Sequence, residues 1–265
     1  MNILFVGDIF GSAGRRIVRE HIEHIREAHA VDLVVINAEN AAGGFGVTPQ
    51  IADDLFDLGA DVLTTGNHVW DKRELMEYIS SVPADSNDRP RRVLRPANLL
   101  PGLPGYGVFE GVTAAGVAYA VIDLMGKVFM HGTNDPFHFV NDLLKGISAK
   151  VIVVDFHAEA TSEKVAMGWH LDGRVTAVLG THTHIPTADE RILPGGTAYQ
   201  TDVGMSGPYD SVIGVEKEMV LHRFLTGMPG KFEAAKGNPK MCAALVTCDP
   251  LTGRASSIQR IMLGE

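Results

Sequence analysis

Residues 2–8 read Asn2-Ile3-Leu4-Phe5-Val6-Gly7-Asp8, an apolar run that stops at a glycine and is followed at once by a carboxylate. Branched and aromatic side chains in a run this short predict a buried strand rather than a helix. The same pattern returns along the chain. Asp32 to Asn37 leads into Glu39 and Asn40, and Asp61 to Thr64 into Asn67 and His68. Val151 to Asp155 leads into His157, and Val175 to Leu179 into His182 and His184. Helical stretches fall between these strands: Gly14 to Ala30, Thr48 to Leu58, Arg73 to Ser81 and Glu163 to Leu171. In the first of them Ile17, Val18, Ile22 and Ile25 recur at helical spacing. Thr48-Pro49 supplies a cap and first-turn pair for the second. Strands alternating with helices pair in parallel, and parallel strands bring their C-terminal ends to one edge. The five polar loops are therefore predicted to converge.

The remaining segments read differently. Gly107 to Val112 and Val117 to Ile122 form a hairpin candidate. Thr197 to Gln200, Met241 to Thr247 and Ser256 to Met262 read as meander strands with little helix between them. Asp85 to Pro104, rich in Pro, Arg and Asn, reads as an ordered surface loop. Its Arg89, Arg91, Arg92 and Arg95 make either a solvated face or a substrate lid. The expected fold class is α/β, with two packed mixed β-sheets flanked by helices in one domain over residues 1–265. The chain is 45% hydrophobic and 21% charged, which suffices for a core without disorder. A net charge of -9 excludes a broad footprint for duplex nucleic acid, which needs clustered cations. No stretch is long and apolar enough for a membrane span, and the N-terminus lacks a signal-peptide pattern. Cys242 and Cys248 match no metal or disulfide spacing. A reducing cytoplasm is the simplest location.

Asp8, Glu39, Asn40, Asn67, His157, His182 and His184 are the candidate metal ligands. Their mixed nitrogen and oxygen donors suit iron, manganese or zinc and are too nitrogen-rich for calcium. Seven ligands exceed the needs of one tetrahedral ion. Two ions about 3.5–4 Å apart that share a carboxylate would use them all, and such a pair can clamp a phosphoryl displacement. His182 and His184, two apart in an extended loop, would point the same way and address neighbouring ions. Taken singly, each residue has a plainer explanation. Asp8 could cap the next helix, His157 could be a packed core histidine, and Glu39 and Asn40 could form a turn. Asn67 could occupy a left-handed position. The other seven histidines, including His21, His131 and His222, read as packing or surface residues.

Gly66-Asn67-His68 and Gly180-Thr181-His182-Thr183-His184, with Gly7-Asp8 and the isolated His157, resemble the calcineurin-like metallophosphoesterases. Gly7-Asp8-Ile9-Phe10-Gly11, Asn37-Ala38-Glu39-Asn40 and Thr201-Asp202-Val203-Gly204-Met205 resemble the YmdB-type branch, and the likeness spans nearly the whole chain. It implies a metallophosphoesterase-type αββα sandwich and hydrolysis of cyclic nucleotides or small nucleotide diesters. Two departures from the wider superfamily stand out. Phe10 takes the place of a histidine, and Glu39 that of a bridging aspartate. The resemblance implies that Asn40 supplies the missing ligand, so Asp8, Glu39, Asn40 and His184 are assigned to one ion. Glu39, Asn67, His157 and His182 are assigned to the other. It also implies that His68 protonates the leaving oxygen after attack by a metal-bridging hydroxide. A phosphomonoesterase or nucleotidase using the same metals, and a regulatory protein that binds RNA or a protein partner, are alternatives. Assembly into a homo-oligomer is left open.

Overall fold

The run at residues 2–6 is strand β1 (Asn2–Val6), and it leads through a tight loop into helix α1 (Gly11–Ala28). In the computed structural model, which describes residues 1–264, two more strand–helix units follow. They are β2 (Leu33–Asn37) with α2 (Pro49–Asp57), and β3 (Val62–Thr64) with α3 (Arg73–Ser80). Thr48 caps α2 by accepting from Ile51 N through its side chain, and Pro49 occupies the first turn. The chain continues through β4 (Val108–Val112), β5 (Ala118–Met125), α4 (Pro136–Leu144), β6 (Val151–His157) and α5 (Thr161–Leu171). The last part holds β7 (Ala177–Thr181), β8 (Arg191–Ile192), β9 (Ala198–Gln200) and β10 (Gly207–Pro208). It ends with α6 (Lys217–Thr226), β11 (Pro239–Cys248) and β12 (Ala255–Gly264).

Two six-stranded mixed sheets result. One runs β10-β11-β1-β2-β3 with β12 on β11, and the other runs β4-β5-β6-β7-β9-β8. In the first, β1, β2 and β3 are parallel, and in the second β5, β6, β7 and β9 are. Alternate residues of each strand serve two different cores, as the two-residue period of a pleated strand requires. Ile3, Phe5, Val35 and Val246 of the first sheet meet Val121, Val153 and Leu179 of the second between the sheets. Leu4, Val6, Val34 and Ile36 face outward onto Ile17, Val18 and Ile22 of α1 and Leu55 of α2. Ile122, Val154 and Val178 pack outward on Val140 of α4 and Met167 and Leu171 of α5. Burying each such aliphatic side chain contributes about 1.5–3 kcal/mol, which makes this four-layer order the dominant stabilising term. No helix among the described residues is long and apolar enough to cross a membrane.

The expected strands and the αββα architecture are present, with three corrections. The tail is not free of helix, because α6 lies between β10 and β11. Helix α4 is likewise absent from the sequence reading. The arginines of the 85–104 segment form no lid. Arg89 pairs with Asp57 at 2.5 Å, and Arg92 reaches the Asp61 carbonyl at the start of β3, the end away from Asn67. Arg91 donates to the Ala84 and Val108 carbonyls and lies over the Tyr106 ring, and Arg95 holds the Pro96 and Pro104 carbonyls. These side chains fasten the segment to the sheets. Cys242 and Cys248 are both buried on β11 and unpaired.

Two carboxylates lie opposite each other in the inter-sheet layer, Asp123 on β5 and Asp155 on β6. Asp123 accepts from Thr65 N at 2.9 Å through one oxygen, while the other is buried without a partner. Burial, and then the facing Asp155, hold its carboxyl well above the ordinary carboxylate range. The folded chain thus keeps a proton that the unfolded chain releases near its ordinary value of 3.8. The contribution of this group to stability falls as pH rises above about 4, by up to about 1.4 kcal/mol per pH unit until it ionises. Asp123→Asn is expected to make the fall of stability with pH shallower. Urea midpoints of chelator-treated wild type and variant between about pH 5 and about pH 8 check it, and identical pH dependence would refute it.

Candidate metal centre

The polar loops converge because the C-terminal ends of the parallel strands in both sheets lie together. Short backbone bridges, Ile9 to Ser206 and Phe10 to Asn40, tie the first two loops to their neighbours. Beneath them Asp155 accepts from Thr64 Oγ1, Asn37 Nδ2 and Thr181 Oγ1 at 2.5, 2.9 and 2.6 Å. Thr64 and Asn37 belong to one sheet and Asp155 and Thr181 to the other, so this buried network sets the spacing of the sheets at the site.

All seven expected ligand residues arrive in one place. Asp8, Glu39 and His184 form one group whose donor atoms lie within 4.8 Å of each other, and Glu39, His157 and His182 form a second. Glu39 belongs to both. Asn67 brings Oδ1 to 2.9 Å from His157 Nε2. Asn40 presents its Nδ2, at 3.0 Å from Glu39 Oε1 and 3.1 Å from His184 Nε2. His182 and His184 are not extended, contrary to the sequence expectation. Both have positive φ, 101° and 66°, a costly conformation for a non-glycine residue that turns the two rings into different groups. Asn67 has no positive φ.

Each imidazole has one nitrogen committed outside the cluster. The Ile213 carbonyl lies 2.8 Å from His184 Nδ1 and can only accept, so that nitrogen carries the hydrogen and the Nε2 lone pair points inward, where it meets Asn40 Nδ2. Thr181 gives its hydroxyl hydrogen to Asp155, so it accepts from His157 Nδ1 at 2.9 Å and leaves Nε2 inward. His182 Nε2 pairs with Glu159 Oε2 at 3.1 Å, leaving Nδ1 inward. Such outer partners fix tautomer and ring orientation in metal-binding histidines. A buried brace holds the His182–His184 loop: Lys164 Nζ donates to the Thr181 carbonyl and to Asp202 Oδ2, both at 2.6 Å, and Asp202 accepts from Thr183 N at 3.1 Å.

The electrostatics favour a cation. Burial pushes the Asp8 carboxyl up to about 6 against the pull of His184 and His157. Burial also acts upward on Glu39, but the charge and hydrogen bond of His157, with His68 and His182, hold it at about 2. Burial acts downward on His157, yet Glu39, Asp8 and Asp155 raise it to about 9. Burial, then the charge on His157, lowers His182 to about 3. A proton on His157 Nε2 thus faces Glu39 Oε1 at 3.2 Å, Asn67 Oδ1 and the inward nitrogen of His182 at 3.0 Å. A metal ion satisfies the same convergence of lone pairs.

Two further observations fit metal. Asp8 Oδ1 is buried without a hydrogen-bond partner, a state that normally has a cause. At Gly66 a Cβ would stand 2.3 Å from Glu39 Oε2 and 2.4 Å from His157 Nε2, so only glycine leaves that space open. Phe10, where the wider superfamily has a histidine, packs edge-on against His184 with ring centroids 5.5 Å apart. It supports a ligand where a ligand was expected.

His68 lies at the rim, its ring edge-on to Phe45 at 5.1 Å and its Nδ1 2.9 Å from Asp71 Oδ2. Its backbone N–H donates to Glu39 Oε2 at 3.3 Å. The cavity above the cluster is about 330 Å³, bounded by His68, His182, His184, Phe45 and Phe232 among others. A second cavity of about 310 Å³, beside Lys150 and Arg174 at the opposite edge of the second sheet, contains none of the cluster. Asp71, Glu159 and Lys164 were not singled out from sequence, and Asp202 entered only within the motif Thr201-Asp202-Val203-Gly204-Met205, without a role. Asp71 is three residues after His68 and Glu159 two after His157, a local signal that was legible; Lys164 carries none.

An αββα sandwich with a shared-carboxylate cluster at its strand ends defines a metallophosphoesterase, a class that hydrolyses phosphoric esters with divalent metal. The chain belongs to the YmdB-like family within that class, whose profile matches residues 4–261. It is 44% identical over 267 residues to a protein of Bacillus subtilis (strain 168) named 2',3'-cyclic-nucleotide 2'-phosphodiesterase, covering 100% of this chain and 98% of that one. A solved structure of a hypothetical protein from Thermus thermophilus superposes with a TM-score of 0.92 at 41% identity, covering 100% of each chain. A novel phosphatase from Mycoplasma pneumoniae superposes with a TM-score of 0.92 at 32% identity, covering 100% of this chain and 93% of that one.

Proposed function

We propose that the chain, acting as one domain in the cytoplasm, is a dinuclear metal-dependent phosphodiesterase of cyclic nucleotides or small nucleotide diesters. The observation that carries this reading is the pair of donor groups sharing Glu39. Asp8, Glu39, Asn40 and His184 would hold one ion, and Glu39, Asn67, His157 and His182 the other. Asn40 joins as an oxygen ligand by turning its amide over, since Nδ2 now faces inward. The nitrogen and oxygen donors, without thiolate, suit iron or manganese, with zinc also compatible. When bound, such ions activate water at neutral pH and neutralise charge on the phosphoryl oxygens.

The chain's own residues do the rest. The imidazoles, fixed by Ile213, Thr181 and Glu159, keep their lone pairs inward. His68 stands at the rim with Nδ1 held by Asp71, so Nε2 is the nitrogen left to protonate the departing oxygen. A sugar alkoxide leaves poorly, which is where a positioned acid helps most. The name of the Bacillus relative supports a diester substrate.

Protein purified without chelator is expected to carry about two ions per chain and to hydrolyse bis-aryl faster than mono-aryl phosphates. Metal analysis and the two assays check this. Less than about one ion after reconstitution would sink the dinuclear reading. Preference for the monoester would instead make the chain a phosphomonoesterase.

A further inference from the structure

The cavity over the metal centre has a polar floor and apolar walls, a division that the hydrolysis of a phosphodiester does not itself require. Phe45 lines it, 38% exposed and set edge-on against His68. Gly44 and Gly46, with φ of 100° and 74°, bend the loop that carries it. Gly44 lies so close to the Phe10 ring that a Cβ would come within 2.8 Å, which ties the loop to the residue supporting His184. Ile213, Val215 and Phe232 also line the cavity. The Ile213 carbonyl accepts from His184, so this lining is also anchored to the floor. The segment bearing Phe232 is fastened by Glu216 N to the Glu233 carbonyl and Ala235 N to the Gly214 carbonyl, both at 2.9 Å. The Arg223 guanidinium lies 5.3 Å from the Phe232 ring centre.

We propose that Phe45 and Phe232 form a base-binding subsite, in which the nucleobase of the substrate is held by aromatic faces while its phosphate meets the cluster. The proposal rests on the reading of the site as a nucleotide phosphodiesterase and adds what selects the substrate. A cavity of about 330 Å³ falls at the lower end of the ordinary range for small-ligand sites and suits one nucleotide. The side chains of Phe45, Phe232, Ile213 and Val215 carry no hydrogen-bonding groups. They grip by stacking and apolar contact, which every base offers, so selection is for a base and not for one base. Diesters without a base lack that grip.

The test compares 2',3'-cyclic AMP with base-free ribose 2,3-cyclic phosphate on the metal-loaded enzyme. Phe232→Ala is expected to raise KM for the nucleotide about tenfold while changing kcat/KM for the base-free ester less than about twofold. Phe232→Tyr keeps an aromatic face and is expected to restore the nucleotide KM, which excludes a folding defect. Phe45→Ala also loosens His68 and should combine the KM effect with a lower kcat on both substrates. Equal losses on both substrates in Phe232→Ala, or an unchanged nucleotide KM, would overturn the subsite. If the wild type turns over neither ester, the phosphodiesterase reading fails. The subsite is then decided by equilibrium binding of AMP against ribose 5-phosphate to wild type and Phe232→Ala: tenfold weaker AMP binding in the variant supports it, and no difference rejects it.

Discussion

Glu39→Ala is expected to lose both metal ions and at least about a thousandfold of turnover. The magnitude follows from position: loss of an outer-shell partner typically costs about 10–100-fold in metal affinity or activity, and Glu39 is the one carboxylate common to both donor groups. Its removal also strips His157 of the carboxylate that most strongly raises it. The residue is buried among polar atoms, so a truncation leaves unpaired groups and threatens the fold as well. Glu39→Gln separates the two effects, because it keeps the volume and one carbonyl oxygen while removing the charge. Metal content by elemental analysis, with circular dichroism as the folding control, reads the outcome. A folded Glu39→Gln protein with wild-type metal content and turnover would falsify the shared-carboxylate arrangement.

His68→Ala is expected to cost about 10²–10⁴-fold on a cyclic nucleotide and far less on a bis-aryl phosphate. The asymmetry is the informative part. A sugar alkoxide needs a proton as it leaves, whereas a nitrophenolate is a stable anion and departs without one. The side chain lies outside both donor groups, with Nδ1 committed to Asp71, so metal content should not change. Asp71→Asn is expected to show the same substrate asymmetry in weaker form, because it loosens the ring without removing it. Equal losses on both leaving groups would assign His68 to binding the phosphoryl group instead. Full cellular function in a His68→Ala strain lacking turnover would favour a regulatory role.

The parallel strands and their polar ends were legible because that information is local. A strand buried on both faces is mostly apolar, and a functional group at its end interrupts the run, so Asp8, Glu39, Asn67, His157 and His182 stand out by contrast. The helices α4 and α6 were not legible for the same reason inverted. α6 buries only Val220 and exposes Leu221, Phe224 and Leu225, so no amphipathic stripe announces it. α4 buries Pro136 and Val140, with its other apolar side chains only partly covered. The arginines of the 85–104 segment looked like a charged face in sequence. Their carbonyl and carboxylate partners lie up to 32 residues away, and that distance hides the pairing.

By itself the sequence singled out candidate metal ligands and the edge they would share, because strand periodicity and strand–helix alternation are properties of neighbouring residues. The family resemblance already divided them into two sets sharing Glu39. Only the tertiary structure decided how they are aimed, with His182 and His184 turned into different groups through left-handed backbone and Asn40 facing inward with nitrogen. It also supplied the outer partner Ile213 and the pairing of Lys164 with Asp202, which no local pattern could announce. The physical reason is that ligand geometry depends on ångström-scale distances between strands of two sheets. Those distances are set by side chains that pack from opposite ends of the chain.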